Sequence, residues 1–301
     1  MSENEIQIGT IVDNSKMPEW GPGRVLDIRG DTLIVYFRDY PGEGIKKIGA
    51  KAGVLTLAPS QTDAQLDNLP PYKDGKFKST KRRVTLDEGI KLFHNLFPLY
   101  FADPKYQKDP SIGERNYKLE AHDHFVKTLG GGQREALLAT GNIDELCKRA
   151  LAVEGKVNLL SPYEKMALRD GLKNEAAARR FFKTLFYLLE ETRPSEVCFE
   201  AYIDAVSKLP VEKGKSRVTT WPVLTVLPFL ADPRRHMFLK PEVTKACADR
   251  LTFDLNYRAE LNWLTYKKLL EMSDILMQKL GPLGAQDFID VQSFIWVIGN
   301  Y

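Results

Sequence analysis

Along residues 8–58 the apolar positions recur with a period of two, in short runs. "IGTIVD" (Ile8 to Asp13), "GRVLDI" (Gly23 to Ile28), "DTLIVYFRDY" (Asp31 to Tyr40), "GIKKIGA" and "GVLTLAP" are rich in Val, Ile, Leu and aromatics, with Gly, Pro or Asp between them. That is the pattern of a small all-β unit. Gly30-Asp31 marks a tight hairpin turn. In the third run Leu33, Val35 and Phe37 share one face and are expected to point inward, which places Tyr36, Arg38 and Tyr40 outward. Five strands in about sixty residues predict a small SH3-like barrel with an edge left open to partners. From Val84 the period becomes helical. "TLDE" (Thr85 to Glu88) and "SPYE" (Ser161 to Glu164) are capping boxes. "NEAAARRFFKTLFYLLEE" sets Phe181, Leu185, Leu188 and Leu189 on one face, and further helices are predicted near Pro241, over Asn262 to Leu280, and at the end of the chain. About nine or ten helices are expected. The fold class is therefore multidomain: a small all-β SH3-like barrel (1–59), a polar and basic linker (60–83), and a mainly α-helical domain (84–301).

The linker changes the picture of charge. The chain as a whole is nearly balanced, with a formal net charge of +3, so no global field argues for nucleic acid. Locally, Lys76, Lys78, Lys81, Arg82 and Arg83 form a basic run beside Tyr72 and Phe77. Such a run is either a solvated connector or a set of phosphate contacts with salt-sensitive affinity. "ADPRRHMFLKP" adds Arg234 and Arg235 in an expected loop.

Candidate chemistry is sparse. "GGGQRE" (Gly130 to Glu135) lacks the Lys-Ser/Thr ending of a phosphate loop and reads as a break between helices. His122 and His124 fall on different faces of an expected helix, so they do not share a metal there. Asp144 followed by "EGK" (Glu154 to Lys156) is the minimal pattern of a magnesium-dependent nuclease, but Asp144 falls on a helix where that architecture needs a strand. No catalytic residue, cofactor or metal is expected. Glu114, Arg115, Asp287, Asp290 and Gln292 read as caps and helix surface, and only their convergence in space would favour an enzyme. The three widely spaced cysteines, with no CxxC pair, read as core thiols of a reducing compartment. The polar N-terminus does not read as a targeting peptide, and no apolar run reaches membrane-spanning length. A cytoplasmic protein is expected.

In "MPEWGPGRVL", Trp20 reads as a corner that seats the next strand, with Gly21 and Gly23 letting the chain fold over its ring. Here a resemblance enters. Gly9 and Val12, Trp20-Gly21 with Gly23 and Val25, Val35-Tyr36-Phe37 and Lys46-Lys47 resemble the Tudor-like small barrels at the C-terminal end of UvrD/PcrA-type helicases and in short bacterial proteins of unknown function. The resemblance covers residues 6–58. It implies a barrel that contacts RNA polymerase, as related barrels of CarD-like transcription factors do. The helical region resembles a poorly characterised bacterial family through "FPLYFADPKY", "ERNYK", "NLLSPYEKMAL", "TTWPVLTVLPFLADPRRHMFLKP" and "DFIDVQSFIWV". The closing "DVQSFIWV" also resembles the endings of modules in some bacterial restriction and defence-associated proteins.

These readings lead to a non-enzymatic adaptor for a protein of the transcription or DNA-processing machinery, with Arg24, Tyr36, Arg38 and Tyr40 as the protein-binding surface. Two alternatives stay open. One is a nucleic-acid-binding component of a phage-defence system acting through Lys76, Lys78, Lys81, Arg82, Arg83, Arg234 and Arg235. The other is an unrecognised nuclease or other enzyme.

Overall fold

The computed structural model describes residues 6–79, 81–109, 111–211 and 218–300. Most of the polar N-terminal run, Met1 to Glu5, lies outside the described residues, as does Thr80 in the basic run. Contacts divide the chain into two units. The first holds Met1–Leu96, Lys245–Asp254 and Ile298–Tyr301; the second holds Phe97–Thr244 and Leu255–Val297.

The first unit is built on a five-stranded antiparallel sheet: β1 (Ile11–Asn14), β2 (Gly23–Arg29), β3 (Thr32–Phe37), β4 (Ile45–Gly49) and β5 (Leu55–Leu57). Their order is β4-β3-β2-β1-β5, so hydrogen bonding leaves β4 and β5 as the two ends. Gly30, in the left-handed region, closes the β2–β3 hairpin. The β2–β3 register shifts between Val25 and Asp27, a bulge that sharpens local twist.

Both faces of this sheet are covered. Val12, Val25, Leu33, Val35 and Phe37 form one cluster, closed by Trp20, Tyr40 and Ile48. Trp20 ends a single 3-10 turn (Pro18–Trp20) and lies edge-on to Phe37 at 5.2 Å and to Tyr40 at 4.8 Å. Gly21 follows with φ +66, and a Cβ there would lie 2.1 Å from an Asp39 carboxylate oxygen, so the corner requires glycine. On the opposite face Ile11, Tyr36, Ala58 and Leu66 form a second cluster, with Leu26, Ile45, Leu69 and Phe77 against it. This corrects the outward placement of Tyr36, which is fully buried. The covering residues come from the segment expected as a linker. It forms a 3-10 turn (Leu66–Asn68) and a two-stranded hairpin, β6 (Tyr72–Lys73) with β7 (Lys76–Phe77), then leads into α1 (Leu86–Leu96) behind its Thr85–Glu88 capping box. Residues 245–254 join the same unit: Val84 N–H donates to Arg250 O, Gln65 Nε2 to Leu251 O and Asp254 N–H to Asn68 O.

The second unit is helical. Its helices are α2 (Pro104–Lys108), α3 (Asn116–Leu129), α4 (Gln133–Ala139), α5 (Ile143–Glu154), α6 (Pro162–Gly171), α7 (Glu175–Glu190), α8 (Glu196–Ser207), α9 (Trp221–Ala231), α10 (Pro241–Arg250), α11 (Trp263–Leu280) and α12 (Phe288–Asn300), of which α10 and α12 run past its limits. Twelve α-helices stand among the described residues, against nine or ten expected; α2 and α4 are too short to show a period of their own. Gly130 to Gly132 separate α3 from α4. Every residue of α9 from Trp221 to Leu230 is buried, which is why its sequence is apolar on all sides. Ser161 and Glu164 complete both bonds of the capping box on α6. No helix among the described residues is long and apolar enough to cross a membrane.

Candidate binding cleft and a buried polar network

The expected protein-binding residues are largely engaged within the sheet unit. Arg24 donates to the Asp67 carboxylate at 2.6 Å and to Leu66 O. Arg38 is forked between Asp39 (2.8 Å) and Asp63 (2.7 Å), and hydrogen bonding to Asp39 raises its pKa despite burial. Tyr40 packs on Trp20, with Lys46 Nζ 4.2 Å from its ring centre. Of this set only Tyr36 is fully buried, under the 60–83 segment; Arg24, Arg38 and Tyr40 are half-buried, with Tyr40 on the Trp20 face of the sheet.

Arg83, expected as a phosphate contact, is the fastener of that segment. Its guanidinium donates to the carbonyls of Arg38 (2.7 Å), Tyr40 (2.6 Å) and Gly42 (3.1 Å), and its Nε donates to the Tyr36 hydroxyl (2.9 Å). The same guanidinium lies 4.9 Å from the Tyr36 ring centre. Gly44 makes room for this arrangement, since a Cβ there would lie 2.6 Å from the Tyr36 ring. Lys76, Lys78, Lys81 and Arg82, by contrast, are exposed.

Of these exposed cations Lys76, Lys81 and Arg82 line a cleft of about 470 Å³ beside the start of β4. Ile45, Pro70 and Phe77 supply its apolar floor, while Lys76, Lys81, Arg82 and Arg83 line it against Glu43 and Asp249. The cleft adjoins an unpaired strand edge. Phe37 N–H bonds Gly44 O, and Ala50 N–H bonds Asp31 O, which sets residues 44, 46, 48 and 50 as the ones that bond to β3. By alternation Ile45 and Lys47 turn their main-chain groups outward along the open side of the sheet.

In the second unit three of the singled-out stretches meet in one place. Tyr106 comes from "FPLYFADPKY", Glu114, Arg115 and Lys118 from "ERNYK", and Asp287, Asp290, Gln292 and Ser293 from "DFIDVQSFIWV". Arg115 bonds Asp287 (2.9 Å) and Asp290 (2.7 Å), and Tyr106 donates its hydroxyl proton to Asp290 at 2.5 Å. Lys118, with no exposed surface, donates to Glu114 (2.5 Å), Gln292 and Ser293. Burial pushes the Lys118 pKa down against the pull of Glu114, and pushes Asp290 up against the pull of Arg115. Burial also works against the charge of Arg115, but Asp287 and Asp290 outweigh it and hold its pKa above the ordinary value. Glu114 and Tyr117 carry this network to a polar cleft of about 650 Å³, whose other walls include Lys108, Ser111, Asn116, Lys156 and Asn158.

The residues expected as caps and helix surface therefore do converge, as a network in which acids and bases satisfy one another. It ties α3 to the start of α12, and no side chain in it is left as an unpartnered nucleophile. The nuclease pattern does not assemble. Asp144 and Glu154 stand at opposite ends of α5, about 15 Å apart by helix rise, and Glu154 is buried against Lys165. His122 contacts Leu230 O rather than a second histidine, and no group of three His, Cys, Asp or Glu among the described residues is arranged to hold a metal. Burial, with Asp144 adding to it, pushes the Cys147 thiol up to about 11. Arg235 is held by Asp232 and by the carbonyls of Leu189 and Glu191, while Arg234 is exposed on the same turn.

The two sites define the chain as a sheet unit with an open, basic-rimmed edge and a helical unit pinned by a buried polar network. Comparison with family models, curated proteins and solved structures finds no match.

Proposed function

We propose that the chain is a non-enzymatic adaptor whose sheet unit, curled as an SH3/Tudor-like barrel, binds a component of the transcription or DNA-processing machinery. The barrel reading is supported by β1 pairing with both β2 and β5, by the β2 bulge, and by the 3-10 turn (Ala50–Ala52) between β4 and β5. The observation that carries the binding reading is the β4 edge, where Ile45 and Lys47 present main-chain groups beside a cleft. An added strand gains affinity there through main-chain hydrogen bonds and specificity through alternate side chains. The choice of partner class rests on the resemblance to helicase-borne barrels that contact RNA polymerase. Because the Lys47 N–H points away from β3, Lys47→Pro removes an edge donor without breaking the ladder. Affinity capture on the full chain should enrich RNA polymerase or a DNA-processing enzyme, and capture on Lys47→Pro should lose it. Equal recovery on both, or no such component on the wild type, overturns the proposal.

A second reading, nucleic-acid binding in a defence system, is favoured by one observation: Lys76, Lys78, Lys81 and Arg82 stand exposed together. Filter binding at two salt concentrations separates it, since phosphate contacts lose affinity steeply as salt rises.

A further inference from the structure

We infer that the β4 cleft selects an extended acidic segment of a partner polypeptide, one with an apolar side chain flanked at alternate positions by carboxylates; this rests on the edge-binding reading above. A strand laid along β4 sends every second side chain to the Ile45 face and the others to the Lys46 face. On the Ile45 face it meets an apolar floor, Ile45, Pro70 and Phe77, and then a charged rim. Four cations, Lys76, Lys81, Arg82 and Arg83, oppose two carboxylates, Glu43 and Asp249, in the cleft wall. Lys78 adds a further exposed cation on the same segment. Arg83 is held by carbonyls and contributes its charge in place, whereas the exposed Lys76 and Lys81 are free to reach a ligand. One residue on the floor and its neighbours two positions away on the rim are separated by about 7 Å along an extended chain. That is the reach over which the lysine stems can meet carboxylates.

Two features favour a polypeptide over a nucleic acid. The edge supplies main-chain donors and acceptors that match a peptide backbone. The nearby rings are also engaged with one another: Phe77 packs edge-on against both Tyr36 and Tyr72, each at 5.4 Å. They are not arranged as an open platform for bases.

The test is fluorescence polarisation with the full-length chain and three labelled probes. One is a peptide with the core Asp-Thr-Leu-Thr-Glu, one is its charge-inverted form Lys-Thr-Leu-Thr-Lys, and one is a short oligothymidylate. The acidic peptide should bind and the inverted peptide should not. The exposed double substitution Lys76→Glu with Lys81→Glu should weaken the acidic peptide roughly tenfold or more and let the inverted peptide bind, because exchanging charges on both sides restores complementarity. Lys47→Pro should weaken either matched pair. If Lys47→Pro abolishes peptide binding while charge reversal has no effect, the acidic class is wrong and the edge reading stands. If charge reversal matters and Lys47→Pro does not, the edge reading fails. No binding of the acidic peptide overturns the inference, and so does tighter binding of the oligothymidylate with the same dependence on Lys76 and Lys81.

Discussion

Replacing Arg83 by Ala distinguishes a fastener from a phosphate contact. The side chain donates to three carbonyls and one hydroxyl, and it closes the 60–83 segment over the buried Tyr36. A hydrogen bond from a charged donor contributes about 1.5–3 kcal/mol net. These four share one side chain and one ordering cost and lie only partly out of solvent, so the sum is discounted to about 3 kcal/mol. Arg83→Lys should recover only a fraction, because an ammonium has no fork to span several carbonyls. The assay is native-state hydrogen exchange read on peptides covering Thr32–Phe37 and Ile45–Gly49. A loss of about 3 kcal/mol corresponds to a fall in protection of roughly a hundredfold in the sheet unit. Unchanged protection, with a loss of oligonucleotide binding instead, would refute the fastener and restore Arg83 to the nucleic-acid surface.

Two further outcomes concern the helical unit. His236 is fully buried, with Nδ1 3.4 Å from the Tyr266 hydroxyl, and burial lowers its pKa from 6.5 to about 4. Between those values the unfolded chain holds the proton and the folded one does not, so stability falls as pH drops through the window, by about 3 kcal/mol in all. His236→Asn should flatten that part of the acid limb in urea titrations; an identical pH slope in both proteins would show that His236 is not its source. Lys118→Met takes the ammonium from the Glu114 carboxylate, which keeps only the Tyr117 hydroxyl as a donor, and from the Gln292 carbonyl, which should cost about 3–5 kcal/mol in urea unfolding. Lys118→Met with Glu114→Gln should recover part of that loss, and a single-mutant cost under about 1 kcal/mol would contradict the buried ion pair.

What could be read in the sequence divides along a physical line. Local interactions were legible: the capping boxes at Thr85–Glu88 and Ser161–Glu164, the Gly30 turn and the Pro18–Gly21 turn at Trp20 each involve residues a few positions apart. The burial of Tyr36 departs from simple alternation, which implies a sheet with one wet face. Yet β3 runs Thr32 to Phe37 with no charged residue, and an unbroken apolar run marks a strand buried on both sides. The Arg83 contacts were out of reach for a different reason, since carbonyl acceptors carry no signature in the sequence. The polar network was half legible. Its three stretches stood out individually, but Tyr106 and Asp290 are 184 positions apart, and no local period brings them together.

The division of labour between the two cation types bears on what the sheet unit can recognise. Arg24, Arg38 and Arg83 each hold two or more acceptors inside the unit and join segments distant in sequence, Arg38 and Arg83 through the guanidinium fork. Among the cations that line the cleft and remain exposed, two are lysines, with Arg82 the exception. Bidentate reading of base edges or phosphates relies on arginine forks held in fixed geometry. Lysines offer mobile point charges instead, which suit carboxylates carried on a chain whose position is already set by main-chain pairing. With Arg83 engaged internally and two of its three exposed cations ammonium groups, the cleft fits the acidic strand proposed above better than the nucleic-acid reading.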